Sequence, residues 1–188
     1  MQIIPLIKIN NKEIQNSELL EKINEDDLLY VLDSDGIEKD ESNLDIYQKL
    51  SKKYQLWIDN APRKLGDVVD VFMAGATNIT LRKIFYPKVK LESIREITEN
   101  KIYANIEIYN KIELYDDFFF EDVDGLINFY SREELEQDFK KYDLIKNFST
   151  KNKTHIYENN KQNIEYWNKF NPEDFFVDIS KYREFKKI

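Results

Sequence analysis

From Leu28 to Arg82 the chain repeats one sequence of events: an apolar run that stops at acids, then an amphipathic segment, then another apolar run. Leu28–Leu32 ends in Asp33-Ser34-Asp35-Gly36, and Gln55–Ile58 ends at Asp59. Leu44, Tyr47, Leu50 and Tyr54 lie between them at helical spacing, and Asp67–Met73 follows as a second helical segment. Continuous apolar runs suit parallel strands covered on both faces, so the stretch is a series of β-α-β units. Few folds accept that repetition.

The same pattern extends in both directions. Strands are expected at Ile3–Ile9, Leu28–Leu32, Gln55–Ile58, Asn78–Arg82, Lys101–Tyr109, Leu126–Phe129, Thr154–Tyr157 and Phe175–Ile179. Ser131 with Glu134 forms a capping box for a helix to about Ile145, and Pro87 opens another through Lys90–Glu99. Gly75 stands where a helix is followed by a left-handed residue. Eight strands separated by helices describe one α/β domain over residues 1–188, a compact (β/α)8 TIM barrel. An open doubly wound parallel sheet is the competing architecture. Since about 250 residues is typical of the barrel, 188 residues require shortened helices, and the one between strands five and six looks missing.

Composition narrows the chemistry. A formal charge of −8 disfavours nucleic acid and anionic membrane as general partners. Without cysteine there is no disulfide, thiolate metal site or thiol nucleophile, and the single His155 is read as structural. Neither a signal peptide nor a membrane span is apparent, so a cytoplasmic protein is expected. No cofactor is called for. Parallel barrels carry their sites at the strand C-termini. Lys8, Asp33, Asp35, Asp59, Arg82, Glu107, Asn128 and Glu158 should therefore ring one mouth. Asp33, Asp35 and Asp59 could together hold Mg²⁺, but Asp35-Gly36 is more simply turn chemistry, and no metal is assigned.

Leu29-Tyr30-Val31-Leu32-Asp33-Ser34-Asp35-Gly36, Asp67-Val68-Val69 with Ala74-Gly75-Ala76, and the opening Ile4-Pro5-Leu6-Ile7 carry a likeness over residues 1–110. In order and spacing they resemble the histidine-biosynthesis barrels, the ProFAR isomerase and imidazole-glycerol-phosphate synthase cyclase family. The resemblance implies a sugar-phosphate barrel with two carboxylates, one ending strand one and one ending strand five. Here those positions hold Lys8 and Glu107. The family's glycine-rich phosphate turns are replaced by Asn60-Ala61-Pro62-Arg63, Glu158-Asn159-Asn160 and Asp178-Ile179-Ser180-Lys181.

The expectation is a diverged relative that binds a small polar or phosphorylated metabolite at the mouth without ProFAR isomerase activity. Any catalysis would be an isomerase-like acid/base reaction, with Glu107 as base and Asp33 or Asp59 as acid. Lys8 could serve as a general base or Schiff-base nucleophile, though an ion pair with the acids around it is favoured. Arg63 and Arg82 would hold an anionic group, and Asp35, Asn128, Glu158 and Lys181 are further ligand-binding candidates. The alternative is a non-catalytic barrel working through protein contacts, for which Phe118, Phe119 and Phe120, set among acids, would be the docking loop, although these rings more simply plug the barrel bottom or cover the missing helix.

Overall fold

The structure, a computed structural model, describes residues 1–82, 90–105 and 122–186. Its strands are β1 (Ile3–Asn10), β2 (Glu13–Ile14), β3 (Leu28–Asp33), β4 (Gln55–Asp59), β5 (Ala76–Arg82), β6 (Lys101–Asn105), β7 (Gly125–Asn128), β8 (Thr154–Tyr157) and β9 (Asp174–Asp178). Each strand from β3 to β9 pairs in parallel with its predecessor in the wall, and β9 pairs in parallel with β1. Eight parallel strands therefore close into a barrel, and the open sheet is excluded.

The short strand β2 folds back antiparallel on the end of β1 through Asn11 and Lys12, both at positive φ. That is the left-handed pair a two-residue hairpin demands. Ile3–Leu6 of β1 pair with β9, whereas Ile9 and Asn10 pair with β2, so the hairpin stands above the closing seam.

The helices are short, as the chain length requires. They are α1 (Ser34–Lys39), α2 (Leu44–Leu50), α3 (Leu65–Met73), α4 (Leu91–Arg95), α5 (Arg132–Gln137), α6 (Phe139–Ser149), α7 (Ile164–Trp167) and α8 (Tyr182–Phe185). The Ser131/Glu134 capping box starts α5 as expected. The expected single helix is broken at Asp138, whose carboxylate accepts the amides of Lys140 and Lys141 and begins α6. Ser34–Gly36, expected as a turn, is instead the start of α1. Gly75 follows α3 with φ 101°, the value the αL cap needs. The expected helix opening at Pro87 and the gap between strands five and six lie outside the described residues, apart from α4.

Strand alternation divides the apolar residues into two cores. Ile7, Ile9, Leu29, Val31, Leu56 and Ile58 face outward beneath the helices, where Tyr47, Val68, Val71, Trp167 and Phe170 cover them. Ile4, Leu6, Tyr30, Trp57, Tyr103, Ile127 and Phe176 fill the barrel itself. The rings of Trp57 and Tyr103 are 3.8 Å apart, and those of Tyr30 and Phe176 are 4.3 Å apart. His155 lies edge-on to Trp57 and Tyr103, with Nδ1 3.3 Å from Asp174. An aromatic side chain buries about 150–250 Å², worth up to roughly 4–6 kcal/mol at 25 cal/mol per Å². The interior is a packed aromatic core that forms the floor of the C-terminal mouth.

Among the described residues, no helix is long and apolar enough to cross a membrane.

Candidate functional site

A side chain reaches the mouth only if its strand position shares the parity of the interior residues. Leu32 pairs in register with Asp59, so Asp59 sits on the interior side of β4 and Asp33, one residue beyond Leu32, on the outer side of β3. This parity splits the expected ring of eight.

Lys8, Asp59 and Arg82 do reach the mouth. Asp59 and Arg82 are both buried and joined by two parallel bonds, Nε to Oδ1 at 2.9 Å and one guanidinium NH₂ to Oδ2 at 2.7 Å. The Tyr30 hydroxyl also donates to Asp59 Oδ2 at 2.9 Å, and Trp57 Nε1 donates to Thr80 Oγ1 beside it. Burial and the Asp59 charge push the Tyr30 phenol well above its ordinary range, so it remains a donor. Such a fork-to-fork pair in a dry setting fixes geometry.

The other side of the mouth is polar and partly open. The Lys8 ammonium lies 3.5 Å from both the Tyr157 hydroxyl and Asp178 Oδ2. Tyr157 donates to Asp178 Oδ2 at 2.7 Å, and Asn159 Nδ2 donates to the Tyr157 oxygen at 2.7 Å and to Asp178 Oδ2 at 3.0 Å. The Asp178 amide closes the loop by donating to Asn159 Oδ1 at 2.8 Å. Burial, then the bond to Asp178, pushes the Tyr157 phenol up.

Four expected members of the ring are corrected, because each turns outward into local structure. Asp33 accepts the amides of Asp35, Gly36 and Asn43, the Asn43 side chain and the Tyr47 hydroxyl, which caps α1 and ties it to α2. Asp35 accepts the amides of Asn11 at 3.0 Å and Lys12 at 2.8 Å, along with Lys39 and Asn43, and so locks the hairpin turn. Asn128 bonds the backbone of Tyr130 in both directions. Glu158 accepts Asn160 N, Asn163 Nδ2 and Trp167 Nε1, which pins the segment at Lys161–Trp167 against β8.

The expected anion holders are also engaged elsewhere. Arg63 pairs with Asp40 at 3.3 Å and donates to the Ile37 carbonyl, while Lys181 pairs with Glu184 on the outer surface. Glu107 and Phe118–Phe120 lie outside the described residues.

Tyr157, Asn159 and Asp178 were not selected from sequence. The signal was parity: Tyr157 follows His155 by two, and Asp178 follows Phe176 by two. Among the described residues, no group of three or more His, Cys, Asp or Glu side chains is placed to hold a metal ion. No model of a known protein family matches the chain, and no curated protein matches it significantly.

Proposed function

We propose that this barrel binds a small polar or phosphorylated metabolite at its C-terminal mouth, as a diverged relative of the ProFAR isomerase and cyclase barrels that lacks their isomerase activity. The observation that carries the reading is the contrast across the mouth. The floor is sealed by aromatic rings and the Asp59–Arg82 pair, yet Lys8 and Asp178 leave 35% and 21% of their side chains exposed above it. A few convergent polar groups beside an apolar, aromatic surface are what orient a ligand in a small-molecule site. Isomerisation is left out because Lys8, a cation, stands where the resemblance calls for the first acid. Asp59, the remaining acid candidate in the described mouth, has both oxygens committed to Arg82 and Tyr30. A proton shuttle needs an unencumbered carboxyl within reach of its substrate.

Thermal denaturation and isothermal titration against a panel of sugars and sugar phosphates test this. A genuine ligand at 100 times its Kd adds about 2.7 kcal/mol, a rise of roughly 5–10 °C for a domain of this size. Lys8→Met should remove that rise while leaving the melting temperature of the free protein nearly unchanged. A panel in which nothing shifts the wild type would overturn the proposal.

A further inference from the structure

The two halves of the open cluster are unequally satisfied. An ammonium carries three donors, and ordinary N–H···O bonds span about 2.7–3.2 Å. Both Lys8 contacts sit at 3.5 Å, so the ammonium keeps donor capacity in hand. Asp178 is lopsided. Its Oδ2 receives Tyr157, Asn159 and Lys8, whereas its Oδ1 accepts no hydrogen bond from the described residues. Tyr157 and Asn159 have spent their own groups on holding that carboxylate, which leaves one immobilised acceptor beside one under-used donor.

The charges say which ligand group fits. The inward-facing ions of the described mouth are two cations, Lys8 and Arg82, and two anions, Asp59 and Asp178, with Arg82 already bound to Asp59. A phosphate placed on Lys8 would meet the Asp178 carboxylate, and a bare cation placed on Asp178 would meet Lys8. A pair of adjacent hydroxyls meets neither objection, because one oxygen accepts from Lys8 while the other hydroxyl donates to Asp178 Oδ1.

We propose that Lys8 and Asp178 form a subsite for a vicinal diol, the polyhydroxyl end of the metabolite, with Tyr157 and Asn159 as positioning residues. The assignment rests on the ligand-binding reading above and places any phosphate of the ligand outside this subsite.

The test is titration of the full chain with pentoses, hexoses and their phosphates, each paired with the deoxy analogue lacking one of the two hydroxyls, and with inorganic phosphate alone. At least one diol should bind about tenfold or more tightly than its deoxy partner, the loss expected for a hydrogen bond to a charged group. Asp178→Asn and, as the variant with less effect on folding, Lys8→Gln should each bring that ratio towards one. Tyr157→Phe should lower the ratio in proportion more than it weakens the deoxy analogue, a split that a merely structural tyrosine would not produce. Equal affinity for diol and deoxy forms, or a ratio unchanged in Lys8→Gln, overturns the diol subsite and leaves ligand binding standing. No binding by any member of the panel overturns both.

Discussion

Whether an acid at a strand end faces the mouth or a helix comes down to one residue of register. Asp59 meets Arg82 inside the mouth, and removing one member of so buried a pair strands the other's charge. Arg82→Met is therefore expected to cost about 3–5 kcal/mol in urea unfolding. The double variant Asp59→Leu/Arg82→Met should be less damaged than Arg82→Met alone, since an apolar pair leaves no uncompensated ion. A double variant as unstable as the single would show that the pair contributes to the floor beyond charge balance.

The chain displays Asp33, Asp59, Asn128 and Glu158 alike, as polar residues after apolar runs. Counting in twos from Trp57 and Phe176 separates Asp59 and Asp178 from the others, but only once closure fixes which face is interior. The partners of Asp33 and Glu158 lie up to 14 and 9 residues further along and were not visible as partners until the helices were placed.

Elements were far more legible than side-chain roles. All eight wall strands fall where apolar runs bounded by turn residues put them, the one expected over Lys101–Tyr109 lying outside the described residues beyond Asn105, because parallel strands buried on both faces leave an unmistakable composition. The helices were harder, since one or two turns give too few residues for a helical period to declare itself. The six-residue helix α1 contains Gly36, which reads as a turn, yet the glycine is there for proximity. A Cβ on Gly36 would come within 2.8 Å of the Asn60 carbonyl oxygen and 2.9 Å of its Cβ. Gly36→Ala must therefore push α1 away from the end of β4 and should lose about 1–3 kcal/mol. Gly66→Ala in α3 is the matched control, as a Cβ there finds nothing closer than 4.0 Å. It should be neutral or gain about 0.5–1 kcal/mol from helix propensity. Chevron or equilibrium urea data on both variants decide the point, and equal effects would remove the argument from close approach.

At the scale of the whole barrel, several carboxylates work as ions and set its response to acid. The Lys39 ammonium, with the Lys12 amide next, holds Asp35 far below the usual carboxylate range. Burial pulls Asp174 up, but His155 and the Gln2 amide outweigh it and leave the group lowered. Groups depressed in the folded state contribute stability above their unfolded pKa of about 4 and lose it as pH falls through the folded value. The urea midpoint should therefore hold from neutral pH down to about pH 4 and drop steadily below it. Asp35→Asn should lower the midpoint at pH 7 and flatten the acid limb. A variant whose acid limb keeps the wild-type slope would show that the Asp35 ion is not what the hairpin turn and α1 depend on.

The subsite proposed here straddles the seam between the first strand of the wall and the last. Lys8 and Asp178 are separated by 170 positions in the chain and meet only when β9 docks beside β1. During synthesis, every other wall strand can pair with its predecessor as it emerges, while β1 waits with one edge exposed. The proposed subsite is therefore incomplete until β9 has docked. A nascent or trimmed chain that lacks β9 would carry a folded-looking wall, an edge open to mispairing, and half of a binding site. Ligand, by gripping both sides of that join, would act as a clasp on a ring otherwise free to open there, and protection of β1 and β9 amides from exchange is where its arrival should first be felt.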